Sequence, residues 1–352
     1  MHAPGLQRFI VGADPVRPSS AVLCGLGTCL PEREVSNAEL ASTLDTTDEW
    51  IRTRTGIRAR RRSAPDVDIR DLAHAAGLNA LASADATQVD LVVLATTTPA
   101  RPCPAGAPEV ATRLGLSGAA AFDIAAVCSG FVYGLATAAG LIVSGVADSA
   151  LVIAAETYSR IVDPTDRSTA VIFGDGAGAV VLRRGQEADP GALLAWDLGS
   201  DGTGCDLIQV PAHAAHRGAQ DGQGIVPGYF TMAGRPVYLQ AIERMAGSCR
   251  QVTAACSWNP ADVQLLVPHQ ANARIIRGVA DRLGIAEDRA VCAIEEVGNT
   301  SAASIPLALA TAARQGRLKA GARTVLTAFG GGLTWGSVAM TGPSCLPIDS
   351  EI

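Results

Sequence analysis

Ala111-Thr-Arg-Leu-Gly-Leu116 returns as Ala280-Asp-Arg-Leu-Gly-Ile285, an offset of 169 residues. Two more matches keep the same order. Upstream, Val89-Asp-Leu-Val-Val-Leu-Ala95 faces Ala261-Asp-Val-Gln-Leu-Leu-Val267, and downstream Ala121–Phe131 faces Val291–Ser301. One such match carries little weight, but three in one order point to internal duplication. Around them, Leu91–Thr97 and Ala150–Ala155 are short, apolar and β-branched, as buried strands are, and Val180–Leu182 ends a third such run. Pro108–Leu114 and Gly130–Ser144 read as helices. Pro108 suits a first turn, where no backbone N–H is needed, and the second helix is apolar nearly all round and therefore buried. The alternation predicts an α/β architecture. Each half would then present equivalent loops to one cleft between them, a favoured place for ligands. The polar stretch Arg183–Gly191 marks the join, giving an arm over 1–20 and halves over 21–187 and 188–352.

The totals fit a large core. Of 352 residues, 48% are hydrophobic and 18% charged. A net charge of −6 argues against nucleic-acid binding, so an acidic partner needs a local basic patch. Nine cysteines, none in C-x-x-C spacing, give no zinc or disulfide framework and point to a reducing, cytoplasmic setting without a metal. The first residues carry prolines rather than a basic start and apolar core, so no secretory signal is expected there. Apolar runs such as Gly130–Val143 are too short to span a membrane.

Three residues invite chemistry. Cys128, in Phe122-Asp-Ile-Ala-Ala-Val-Cys-Ser-Gly-Phe131, sits where an apolar strand gives way to a buried helix. A helix N-terminus there is expected to lower the thiol pKa and favour the thiolate. His269, in Leu265-Leu-Val-Pro-His-Gln-Ala-Asn272, follows a strand C-terminus, where α/β ligand sites gather. Asn299, in Glu296-Val-Gly-Asn-Thr-Ser301, falls within about two residues of the repeat position matching Cys128. Taken singly, each has an ordinary reading: an inert buried thiol, a structural histidine and a turn asparagine beside a helix cap. Taken together, they supply a nucleophile, a proton-handling imidazole and an amide donor. That set serves hydrolases as well as acyl-transfer enzymes, and the duplication favours acyl transfer.

From about Ala21 to Thr341 the chain resembles the 3-oxoacyl-[acyl-carrier-protein] synthase III family of the thiolase superfamily. The motifs are Asp48–Ile57 (DEWIRTRTGI), Phe173–Ala179 (FGDGAGA), Val267–Asn272 (VPHQAN), Gly298–Ser304 (GNTSAAS) and Phe329–Gly336 (FGGGLTWG). The resemblance implies a five-layered αβαβα thiolase fold, a homodimer, and a decarboxylative Claisen condensation between an acyl-CoA starter and a malonyl-acyl carrier protein. It implies no resident cofactor. Cys128 then matches the acylated nucleophile, His269 and Asn299 match the pair that holds the malonyl thioester, and the backbone N–H groups of Cys128 and Gly331 match the oxyanion hole. Trp50, Arg54, Arg167 and Asn272 match CoA-binding positions. Arg274, with Arg277 and Arg282 along the same predicted helix, matches a carrier-docking patch. The Phe173–Ala179 motif is structural, beside the cleft.

Cys103 falls where familiar members carry a phenylalanine reaching the partner's acyl pocket, so a longer or branched starter is expected. Tyr238 likewise stands where phenylalanine is common, and Ala212–Gly224 reads as a lengthened loop. Other functions stay open. One is a polyketide starter synthase; another is an acyltransferase passing the group to an alcohol or amine without decarboxylation. A third is a carrier-binding paralogue without activity. A degradative thiolase would want a second cysteine near Asn299, whereas Cys292 lies seven residues earlier.

Overall fold

The structure is a computed structural model that describes residues 20–211 and 228–352. Nearly all of the arm and the run Ala212–Gly224 lie outside the described residues. In the first half, β1 (Ser20–Leu30) leads through α1 (Asp48–Thr55) to α2 (Ile69–Ser83) and β2 (Leu91–Ala95). Then come α3 (Ala107–Arg113), β3 (Ala120–Ile124), α4 (Gly130–Val143), β4 (Ser149–Thr157) and β5 (Asp175–Gly185). The second half runs β6 (Leu193–Ser200), α5 (Gly234–Ala255), β7 (Leu265–Pro268), α6 (Ala273–Leu283) and α7 (Ser304–Arg314). It closes with β8 (Arg323–Gly330), β9 (Thr334–Thr341) and β10 (Ile348–Glu351).

Helix starts follow local chemistry. The Thr47 side chain caps α1 by accepting from Trp50 N–H, and Asp68 with Asp71 makes a reciprocal capping box on α2. Gly56, at φ 82°, ends α1 in the left-handed region. All five residues of β2 are buried, which requires cover on both sheet faces.

The strand pairings expose the duplication. A six-stranded sheet runs β10-β1-β5-β4-β2-β3, and a four-stranded sheet runs β6-β9-β8-β7. In the first, β1–β5 and β5–β4 are antiparallel while β4–β2 and β2–β3 are parallel. In the second, β6–β9 and β9–β8 are antiparallel and β8–β7 is parallel. A parallel bridge between Leu266 and Ala290 stands in place of the fifth strand. The two sheets therefore repeat one pattern. The last strand, β10, returns to pair with β1.

Three apolar clusters make five layers. Helices α2 and α3 cover the outer face of the first sheet, and α5 and α6 cover the outer face of the second. Between the sheets, α4 and α7 fill the largest core, with Phe131, Leu135, Ile142, Leu307 and Leu309 buried against both. Small residues let the layers close. An added Cβ at Gly178 of β5 would come within 2.6 Å of Pro306 in α7. A fourth cluster, around Ile51, Ile57, Tyr158 and Phe173, packs α1 over the cleft. Within that region Arg60 is fully buried, donating to Val35 O, Val171 O and Asn37 Oδ1.

Candidate active site

Both halves meet at two matching turns. After β3 the chain enters a tight turn, Val127–Ser129, which opens α4. After Asn299 it enters another, Ser301–Ala303, which opens α7. Each turn starts on a non-glycine residue in the left-handed region, Val127 at φ 47° and Ser301 at φ 49°. For a β-branched residue such as Val127 this conformation is strained, and strain of this kind concentrates at functional sites. The turns also correct the sequence register. They align Val127 with Ser301 and Cys128 with Ala302, so Asn299 lies three residues before the counterpart of Cys128. The added helical turn Ile294–Val297 in the second half accounts for the shift.

Cys128 is buried, with Sγ 3.6 Å from Ser301 Oγ. Its thiol runs against expectation. Burial pushes its pKa up to about 12, with the Ser301 hydroxyl lowering it and the Glu156 charge raising it. The partial charge of a helix terminus is small beside the cost of desolvating a thiolate. The hairpin between β8 and β9 then presses its backbone onto the Cys128 turn. A Cβ at Gly330 would lie 2.8 Å from Cys128 N. Thr334 Oγ1 donates to Ala126 O at 3.2 Å, and Ser129 Oγ donates to Thr334 O at 3.1 Å. Gly331 follows directly on Gly330, so the two peptide N–H groups singled out from the sequence belong to segments in close contact.

His269 follows β7. Its backbone N–H donates to Thr327 O at 2.7 Å, and its Nδ1 is 2.6 Å from Ser304 Oγ. Burial pushes its pKa down to about 3, so the ring is neutral. Gln270 N–H donates to Ser304 Oγ at 3.3 Å, an arrangement compatible with the Ser304 hydroxyl donating to Nδ1. In the tautomer where Ser304 donates to Nδ1, Nε2 carries the ring hydrogen.

Asn299 is fixed from two sides. Its N–H donates to Ile172 O and its carbonyl accepts from Gly174 N–H, pairing it with Phe173. The Phe173–Ala179 motif thus serves as a backbone clamp beside the cleft. The side-chain Oδ1 accepts from Ser301 N–H at 2.9 Å, which leaves Nδ2 as the free donor. A single segment, Ser301–Ser304, consequently touches Cys128, Asn299 and His269.

Glu156, at the end of β4, was not singled out from the sequence. It is fully buried, and its carboxyl accepts from Thr97 N–H at 3.1 and 3.0 Å and from Thr98 Oγ1 at 2.8 Å. Burial raises its pKa to about 7. The available signal was a charge closing the apolar run Ala150–Ala155 at a strand C-terminus. Ser301 and Ser304 gave no comparable signal.

The remaining candidates lie further out. Trp50 is half-buried, with the Arg54 guanidinium 4.9 Å and that of Arg167 5.2 Å from its ring. Arg167 also pairs with Asp45 at 3.3 Å. Asn272 caps α6 through Arg274 N–H and donates Nδ2 to Arg54 O at 2.9 Å, joining α6 to the end of α1. Arg274 is exposed, while Arg277 pairs with Glu287 at 3.1 Å and Arg282 with Glu243 at 2.6 Å. Cys103 is exposed on the loop after β2, and Tyr238 is partly buried on α5.

Comparison with known proteins decides the family. Residues 122–202 match the family model "3-Oxoacyl-[acyl-carrier-protein (ACP)] synthase III", and residues 253–341 match its C-terminal counterpart. A beta-ketoacyl-[acyl-carrier-protein] synthase III of Pseudomonas aeruginosa is 54% identical, over 94% of this chain and 99% of that one. The chain belongs to the 3-oxoacyl-[acyl-carrier-protein] synthase III family. Another member, synthase III 2 of Streptomyces coelicolor, is 54% identical over 95% of this chain and 97% of its own. Among solved structures, the synthase III of Pseudomonas aeruginosa PAO1 superposes with a TM-score of 0.88. It is 53% identical and covers 93% of this chain and all of its own. The priming β-ketosynthase of the R1128 polyketide pathway superposes with a TM-score of 0.86 at 34% identity, covering 95% and 99% of the two chains. The five-layered thiolase fold is shared across these synthase III relatives.

Proposed function

We propose that this synthase III family member joins an acyl-CoA starter to a malonyl-acyl carrier protein by decarboxylative Claisen condensation. One observation carries the reading: the segment Ser301–Ser304 binds to Cys128, Asn299 and His269 at once. Cys128 Sγ attacks the starter thioester, and the peptide N–H groups of Cys128 and Gly331 hold the tetrahedral oxyanion. Cys128 keeps the acyl group while CoA leaves. The malonyl thioester follows, with its carbonyl oxygen between His269 Nε2–H and Asn299 Nδ2–H. Loss of carbon dioxide places an enolate charge on that oxygen, and two donors in a water-poor site stabilise it. The enolate carbon then attacks acyl-Cys128. A neutral His269 suits this role, because it is a fixed donor that keeps its proton.

Trp50, Arg54 and Arg167 offer an indole and two guanidinium planes, which suit stacking on the CoA adenine. Asn272 holds this wall to the start of α6. All three arginines are exposed, but of the three only Arg274 has no carboxylate partner among the described residues, which makes it the candidate contact for an acidic carrier. Arg277 and Arg282 already have carboxylate partners, so they contribute less net charge. The edge strand β3 leaves Phe122 and Ile124 half-exposed, a fitting surface for strand pairing in a homodimer. No described helix is long and apolar enough to cross a membrane, and we place the enzyme in the cytoplasm. In a dimer Cys103 would face the partner's acyl pocket, where a small side chain leaves room. A series of CoA starters should therefore show faster acylation with longer or branched chains, and strict preference for acetyl would contradict this.

Incubation with radioactive acyl-CoA tests the core reading. The label should appear on Cys128 and be absent in Cys128→Ala. Adding malonyl-acyl carrier protein should release carbon dioxide and a 3-oxoacyl carrier. Stable acyl-Cys128 without carbon dioxide release would favour the non-decarboxylating acyltransferase, and absence of label would favour a silent paralogue.

A further inference from the structure

A cavity of about 830 Å3 opens at the first residues of β7 and β8, Leu265 and Arg323. His269 and Gly330 lie at the other ends of those strands. Four cations, Arg289, Arg317, Lys319 and Arg323, line the cavity against two carboxylates, Asp262 and Asp288. Four positive charges less two negative leave +2, on a chain whose net charge is −6. Among the described residues only Arg323 of the four has a carboxylate partner, Asp262 at 3.5 Å. Arg289 donates to Ala261 O at 3.1 Å, and Arg317 to Asp288 O at 2.6 Å and Ala290 O at 3.1 Å. Those carbonyls fix the guanidinium groups without cancelling their charge. Lys319, the single lysine of the chain, is exposed.

The first half closes the equivalent place. By the repeat, Asp262 is the counterpart of Asp90. The starts of β4 and β8, Ser149 and Arg323, correspond through matching pairings to β2 and β7. Asp90 accepts from Asp148 N–H, Ser149 N–H and Ser149 Oγ at 2.9–3.0 Å, and Arg184 pairs with Asp148 at 2.7 Å. Charge is cancelled there and the strand starts are knotted together. In the second half an arginine takes the place of that serine. The link from α7 to β8, residues 315–322, is also longer than the link from α4 to β4, residues 144–148, and it carries Arg317 and Lys319.

We propose that this cavity binds a small phosphate-bearing anion of nucleotide size, by class a nucleoside diphosphate, at a site separate from the condensation cleft. Guanidinium forks match phosphate oxygens two at a time, and an ammonium adds a mobile point charge. A diphosphate matches the local excess of positive charge, and a cavity focuses that field on an anion. The volume lies in the range that encloses a small organic ligand and leaves room for more than the phosphates. Arg323, set over the Trp258 ring at 5.7 Å, offers a planar group for a base to stack on. The concave shape suits a small ligand better than the convex surface of a carrier protein. The proposal is independent of the nucleophile assignment.

Isothermal titration calorimetry of the full chain at low salt, with inorganic pyrophosphate and with ADP, tests this. Both should bind and compete for one site, in the wild type and in Trp50→Ala, which removes adenine stacking on the α1 wall. Lys319→Glu and Arg289→Glu should each weaken both ligands at least about tenfold, with thermal unfolding unchanged. Lys319→Ala should weaken them less, and it carries the test if a charge reversal disturbs folding. Arg235→Glu, at the far end of α5, should leave binding intact. Absence of binding by either probe overturns the proposal. So does ADP affinity that follows Trp50 and ignores Lys319, or equal weakening by Arg235→Glu, which would reduce the effect to net charge. Pyrophosphate that ADP does not displace rules out a nucleotide, and pyrophosphate displaced by the acidic carrier protein makes the cavity a carrier contact instead.

Discussion

The His269 ring is neutral and buried, so protonating it requires unfolding or displacement. Its pKa is about 3 in the fold and about 6.5 when exposed. Between those values the unfolded chain binds a proton that the folded chain refuses. Its contribution to stability is therefore complete above pH 6.5 and is lost progressively as pH falls toward 3. At about 1.4 kcal/mol per unit, the loss by pH 5 is about 2 kcal/mol. His269→Asn should remove that slope, so urea denaturation should show the wild type losing about 2 kcal/mol more than the variant between pH 7 and 5. Parallel slopes would contradict it. Glu156 acts oppositely, because its raised pKa makes its contribution largest below about 4.5 and lost as pH rises to about 7. It is common to both proteins and cancels in the comparison. On the proposed mechanism, Asn299→Ala removes one enolate donor but not the nucleophile. Condensation should fall about 10²–10³-fold while acylation of Cys128 persists; loss of both in equal measure would place Asn299 outside the enolate site. Cys128 and His269 stood out as candidates because each closes an apolar run at a polar turn, and Asn299 because the repeat sets it near the counterpart of Cys128. The direction of the thiol shift was not, since helix position can be read from sequence and burial cannot.

Secondary elements carry the site to within hydrogen-bond reach. The segments expected over Leu91–Thr97, Ala150–Ala155, Pro108–Leu114 and Gly130–Ser144 form strands and helices shifted at their ends by a few residues. Their composition decides them, because β-branched runs and small-residue helices bury different faces. The hairpin joining β8 and β9 is where element packing becomes chemistry. Gly330→Ala would place a methyl 2.8 Å from Cys128 N, and that backbone cannot rotate away as a flexible side chain could. Acylation should drop at least about tenfold, with destabilisation of about 1–3 kcal/mol, read by burst labelling and thermal unfolding. Wild-type labelling would show that the hairpin has room to retreat. The four-residue helical turn Ile294–Val297 escaped the repeat alignment, because a short insertion within a weak match leaves no periodic signal.

At the scale of the whole molecule, the two sheets repeat one order of parallel and antiparallel pairs, and the central helices bind them together. The first sheet still has an open edge at β3. Ala120 N–H is used inward, donating to Asp90 O, so strand alternation turns Ala121 N–H outward. Ala121→Pro should therefore remove one outward donor without breaking the β2–β3 ladder. Sedimentation should show wild type at twice the chain mass of 36.0 kDa and the variant shifted toward monomer by at least about tenfold in dissociation constant. A wild-type monomer, or an undisturbed dimer in the variant, would remove β3 from the interface. The duplication and the α/β class were legible in the sequence alone, and Cys128, His269 and Asn299 stood out there as candidates, because apolar periodicity and turn chemistry are local properties of the chain. Only the tertiary structure brought Ser301, Ser304 and Glu156 to those residues and reversed the expected thiol shift. Desolvation and hydrogen-bond partnership depend on what the folded chain packs together, and the order of residues along it does not record that.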